Sequence, residues 1–349
     1  MSYSSRCFDK SCTTTLSHAF SYVASYSPRT CLAKRVLRMI APWSYMHSPN
    51  AIKSTEFWKR LNSKGQETQE KLLARVRHEL FKDENNNHRC CVQTTDGKAK
   101  LDGILFKGTS KKVILFVPGL GGHYEEVAAV DSIFQKFVKG FQKLIPGVNV
   151  MTVNPRGVFV STGEAAAGTW ANDIYSTYKY LITKHGFKPE DVLVWGHSLG
   201  APQALMAAAQ IQEEYADKTI SAVVDRSFLD FAEMIRERAG NGLWNVTMGT
   251  LGKYVIKALG LNMNGQKAAE QLKGTVLAIY AKGDQSIPTI CSFALKANKK
   301  KIVDFKTIEL ALTQNADHTK ALTDKDLDQV RKALQLETPS SNGKDSKEG

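Results

Sequence analysis

The chain has 349 residues, 42% of them hydrophobic and 23% charged, proportions that exclude a fibrous or wholly disordered protein and allow one large domain with an extension. The formal charge is +13, and no apolar run reaches the length needed to cross a bilayer. Six cysteines without framework or Cys-x-x-Cys spacing speak against a disulfide scaffold or a zinc site and for reduced thiols in a cytosol-like compartment.

The positive charge is concentrated at the start, where residues 1–90 hold 15 Lys/Arg against 7 Asp/Glu. Such a surplus favours anionic surfaces. No nucleic-acid-binding motif accompanies it, so a phospholipid surface is the expected partner and nucleic acid is not. Residues 1–55 carry a single acid, Asp9, and lack the apolar core of a secretory signal. A transit peptide has the same basic, Ser-rich composition, so organelle targeting competes with membrane contact or docking. Within this region Leu32, Val36, Met39 and Ile40 fall on one helical face and Lys34, Arg35 and Arg38 on another, up to Pro42, which predicts a short basic amphipathic helix. A polar helix with a solvated charged face is expected over residues 54–81.

Two extended runs around Asp96–Gly97 predict a hairpin with a tight turn. Thereafter "KVILFV", "VNVMTV", "VLVW", "ISAVV" and "TVLAIYA" are short and largely β-branched, and helical patterns separate several of them. Buried parallel strands flanked by helices produce this alternation. Residues 1–86 thus read as a basic, partly helical extension, 87–336 as an α/β domain with a small helical insertion at 226–265, and 337–349 as a disordered tail.

Gly196-His197-Ser198-Leu199-Gly200 stands between the strand "VLVW" and the helix "APQALMAAA", the strand–turn–helix setting of a nucleophile elbow. The turn is tight enough that side chains two residues either side of the serine would collide with the adjoining elements, which accounts for the glycines. A hydroxyl needs a base to attack at neutral pH. His318 follows the last strand-like run, "FKTIEL", whereas His197 is expected to point away from the hydroxyl and His123 belongs to another loop. For the acid that orients the base, Asp284 in "AKGD" is favoured and Asp225 in "AVVDRSF" is the competitor, while Asp317 reads as a loop residue. The chain order Ser, acid, His is satisfied by either. The glycine-rich loop "VPGLGGHYEE" supplies a second function: the backbone N–H of Leu120, with that of Leu199 at the helix start, is suited to an oxyanion. Neither a P-loop nor a dinucleotide fingerprint is present in it.

With the "DG" hairpin, "PGLGGH", "NPRGVFVSTGE", "GHSLG", "AKGD" and "ADH", residues 87–336 resemble the α/β-hydrolase superfamily. More narrowly, "VPGLGGHYEE", "VNPRGV" and "WGHSLGA" are similar to the CHLPS-type hydrolase-like proteins of chlamydiae and the SidB-like secreted effectors of intracellular bacteria. The resemblance implies a mostly parallel eight-stranded sheet, a Ser198–Asp284–His318 triad and no metal or organic cofactor. It further implies an esterase or lipase-like serine hydrolase acting through an acyl-enzyme, located in the cytoplasm or exported to a host cell without a signal peptide. The competing expectation is a hydrolase-shaped effector or scaffold that binds membrane or a protein partner. Pro118-Gly119 stands where many esterases have His-Gly, which leaves the first oxyanion donor open. Phe228, Phe231, Leu243, Trp244 and Met248 in the insertion are expected to pack on the core or to line an acyl pocket.

Overall fold

The computed structural model describes residues 69–82, 86–119, 122–128, 132–163, 169–238, 243–258, 262–284, 286–310 and 318–336. The basic amphipathic helix, the remainder of residues 1–68 and the tail 337–349 lie outside these. The end of the expected polar helix is present as α1 (Gln69–Leu80), whose Val76 and Leu80, one turn apart, are buried. It is followed by the hairpin β1 (Asn87–Gln93) and β2 (Lys100–Phe106), paired in register from Gln93 opposite Lys100 to Asn87 opposite Phe106. The connection includes a tight turn in which the Gly97 N–H donates to the Thr94 carbonyl at 2.9 Å. Thr94 and Ala99 are bonded across it, and Gly97 takes the left-handed conformation at φ +70°.

The five β-branched runs form β3 (Val113–Val117), β4 (Asn149–Val153), β5 (Val192–His197), β6 (Ala222–Asp225) and β7 (Thr275–Ala281), and the run "FKTIEL" forms β8 (Asp304–Leu310). Among the described residues these make one eight-stranded sheet in the order β1-β2-β4-β3-β5-β6-β7-β8. Only β1–β2 and β2–β4 pair antiparallel; every pair from β4 onward is parallel. Residues two apart on a strand face the same side. Accordingly Ile114 and Phe116 of β3 and Trp195 of β5 join one core with α1, α2 (Ile133–Leu144) and α9 (Asp324–Ala333).

Against the other face lie α3 (Thr169–His185) and α4 (Gly200–Glu214). Helix α4 approaches closely because Ala201, Ala204, Ala207 and Ala208, all fully buried, present no bulk to the sheet. After β6 come α5 (Phe231–Arg238), α6 (Leu243–Ala258) and α7 (Gly265–Glu270), and a single turn, α8 (Phe293–Lys296), follows β7. Phe228 and Phe231 of the insertion are buried with ring centroids 5.5 Å apart, so both pack on the core. The side chains of Leu243, Trp244 and Met248 are not among those described. No described helix is long and apolar enough to cross a membrane.

Candidate active site

Strand β5 ends at His197, and the next residue, Ser198, sits at φ +52°, a conformation that costs a non-glycine residue about 1–3 kcal/mol. Neighbouring glycines make that turn possible by letting backbones touch. A Cβ on Gly196 would lie 2.3 Å from Ala201 Cα and 2.8 Å from Ala204 Cβ in α4, and one on Gly200 would lie 2.3 Å from the Pro118 carbonyl oxygen and 2.4 Å from that of Val117. The glycine requirement read from sequence thus has two physical origins: Gly196 makes room for the following helix and Gly200 for the end of β3. Gly119 completes the crowding, since a Cβ there would meet Ser198 Cβ at 2.9 Å.

The loop after β3 therefore reaches the serine. Leu199 is buried and immediately precedes α4, so its N–H belongs to the positive end of that helix. Leu120, the other expected donor, lies outside the described residues.

Asp284 follows β7. Its Oδ2 lies 2.7 Å from His318 Nδ1, and its Oδ1 accepts hydrogen bonds from the backbone N–H groups of Ser286 (2.8 Å) and Ile287 (3.0 Å). Burial opposes ionisation of this carboxyl, but the bond to His318, its charge and the two N–H donors outweigh burial and hold it below its usual range. A carboxylate so placed fixes the proton on Nδ1 and leaves Nε2 as the acceptor. His318 Nε2 is buried and, among the described residues, has no hydrogen-bond partner. The His318 ring stacks at 5.0 Å, tilted by 39°, on His197, the residue just before the serine.

Asp225, the competing acid, faces elsewhere. It is fully buried and accepts from Arg226 Nε at 2.7 Å and Nη2 at 2.9 Å, with His197 Nδ1 3.3 Å from Oδ2. Burial alone would raise its pKa, but the Arg226 cation and His197 bring it well below the ordinary carboxylate value. His197 lies against Phe137 at 4.9 Å, and burial pushes its pKa down to about 4 despite Asp225.

A second buried cluster borders the same loop. Arg77 of α1 reaches Glu125 Oε1 at 2.5 Å and Asp102 Oδ2 at 3.2 Å. Tyr124 donates to Asp102 (2.5 Å), and Asn154 Nδ2 donates to Glu125 (2.9 Å). His123, set aside on sequence, joins this cluster with Nδ1 3.4 Å from Glu125 and its ring 4.9 Å from Phe159. Sequence reasoning missed Arg77, Asp102 and Glu125, because nothing local marks charges that meet across 48 residues of chain. Among the described residues no group of His, Cys, Asp or Glu could hold a metal ion.

The family model described as Chlamydia CHLPS protein (DUF818) matches residues 35–335. The chain belongs to that family. Its sheet and flanking helices are those of α/β hydrolases: it superposes on an α/β hydrolase from Vibrio vulnificus with a TM-score of 0.55, at 16% identity, covering 82% of this chain and 94% of the other. For the Pyrococcus furiosus esterase Pf2001 the TM-score is 0.54 at 17% identity, covering 73% and 92%. By sequence this family member is 24% identical to the phosphatidylserine lipase ABHD16A of Rattus norvegicus across 72% of the chain and 41% of the relative. A segment of 97 residues, 28% of the chain, is 32% identical to 2% of the multifunctional-autoprocessing repeats-in-toxin of Vibrio vulnificus. The chain thus spans under half of the lipase and a small fraction of the toxin.

Proposed function

We propose that the chain is a serine hydrolase that cleaves carboxylic esters, lipid acyl esters in particular, through an acyl-enzyme. One observation carries this reading: an imidazole oriented by a buried carboxylate, its second nitrogen without a partner among the described residues, stacked on the residue that precedes a serine in a left-handed turn. Hydrogen bonds between nucleophile and base are often long or absent without substrate. The esterase and lipase relatives support the reaction class, and the phosphatidylserine lipases support a lipid ester as its substrate.

In this mechanism Ser198 Oγ bonds to the acyl carbon as its proton passes to His318 Nε2. Asp284 holds the imidazolium that results. The oxyanion is met by the Leu199 N–H and, as expected from sequence, by that of Leu120; loss of one such donor costs about 10²–10³ in rate. His318 then protonates the leaving alcohol, and a water deprotonated by the same nitrogen releases the acid and restores Ser198.

A fluorophosphonate probe tests this directly. The expected result is an adduct on Ser198 that is absent in Ser198→Ala and strongly reduced in His318→Ala, with hydrolysis of acyl esters following the same pattern. A folded chain that takes no label and turns over no ester would be the scaffold of the competing expectation. Contact of residues 1–55 with anionic membrane is a separate proposal, overturned if phosphatidylserine vesicles bind equally well to a chain lacking them.

A further inference from the structure

The residues that end β6 touch both halves of the proposed machinery. The Asp225 carbonyl accepts the Ser198 N–H at 2.9 Å, and Ser227 Oγ donates to the Ser198 carbonyl at 2.6 Å. Between them Arg226 adopts φ +47°, its N–H bonded to the Ile279 carbonyl of β7 at 2.8 Å. Its guanidinium, fully buried, spends two N–H groups on Asp225 and directs Nη1 to the Lys320 carbonyl at 2.5 Å. Lys320 lies two residues beyond His318.

We propose that Arg226, held by Asp225, is a positioning residue that sets the His318 loop at a fixed distance from Ser198. The proposal rests on the triad reading above.

Stability alone does not account for the pair. Removing two charges from water costs several kcal/mol per ion, and an apolar filler of similar volume is often as stable or more so. What an aliphatic filler lacks is a rigid planar fork that donates in several fixed directions at once. Here those directions lead to the strand that grips the serine and to the loop that carries the base. The left-handed backbone at Arg226 adds a cost to the folded chain, and it faces the side chain and the N–H toward different strands.

The pair also keeps the charge around His318 balanced. Among the described residues, the charged or titratable groups facing His318 are Asp284 from the turn after β7 and His197 from β5, with the Asp225–Arg226 pair behind His197. Deep burial keeps His197 neutral at pH 7, and each member of the ion pair cancels the other.

The test uses full-length variants, a short acyl ester and the pH profile of kcat/KM. Arg226→Lys keeps the charge and loses the fork: kcat is expected to fall about 10²-fold, the scale of a misplacement of about 1 Å, with KM within about twofold and the acid limb unmoved. Arg226→Met leaves the Asp225 carboxylate uncompensated and shifts the acid limb to higher pH, whereas Asp225→Asn leaves the cation uncompensated and shifts it lower, each by about half a pH unit or more. The double variant Asp225→Asn, Arg226→Met restores the limb while kcat stays low. Arg226→Lys at wild-type kcat, or single variants whose limbs move the same way, overturns the proposal while Ser198-dependent turnover in the wild type preserves the triad reading. A wild-type chain that takes no fluorophosphonate on Ser198 overturns both.

Discussion

Asp284 and His197 both lie beside His318, yet burial acts on them with different results. For Asp284 the donors of Ser286, Ile287 and His318 overcome burial, so the group stays ionised at neutral pH. Asp284→Asn should therefore keep the fold but lower kcat by about 10⁴-fold, because the amide favours the wrong imidazole tautomer; stopped-flow measurement of acylation checks this. For His197 burial dominates and the pKa falls to about 4. The folded chain then binds fewer protons than the unfolded one wherever the unfolded imidazole, near 6.5, is charged. Stability present above that value is lost as the pH falls from about 6.5 to 4, with a slope of about 1.4 kcal/mol per pH unit from this group. His197→Gln should flatten that part of a urea-unfolding series measured against pH; an unchanged slope would show that the imidazole is not buried uncharged.

At the scale of elements, the elbow depends on where backbones touch. Gly200→Ala drives a methyl into the carbonyls of Pro118 and Val117 and should destabilise the chain by about 1–3 kcal/mol. Gly140, inside α2, has open space where a Cβ would be. Gly140→Ala is expected to stabilise by about 0.5–1 kcal/mol, and paired thermal melts separate the two cases. The strands were legible in the sequence because each buried strand is a short β-branched run, and the elbow because two glycines flank a serine at a change of period. His318 was legible as a polar loop after the last strand. The Asp225–Arg226 pair was not: Asp225 in "AVVDRSF" reads as the competing acid, and nothing local marks Arg226 as its buried partner. The turn at Asp96–Gly97 was legible from the dipeptide, and the bond from the Gly97 N–H to the Thr94 carbonyl closes it.

At the scale of the whole molecule, α1 is tied to β2 and to the turn after β3 by a charge. Arg77 lies between Glu125 and Asp102, which are 0% and 6% exposed. Burial alone would raise the Glu125 pKa, but His123, Arg77 and Asn154 hold it below its usual range. Removing one partner of such a cluster costs about 3–5 kcal/mol, so Arg77→Met should lower the unfolding free energy by that order, and the combined Arg77→Met, Glu125→Gln by less than the sum of the single changes. A denaturant series on the four chains checks both. No pattern in the first 86 residues pointed to this role, since Arg77 reads as one of many charges on a polar helix.

Arg77 also settles what a transplant of this fold must carry. Moved into another polypeptide from the first strand onward, the sheet would arrive with Glu125 buried without its guanidinium partner and Asp102 left with Arg89 alone as its cation, beside the loop that borders the serine. The smallest portable unit thus begins one helix upstream of the first strand.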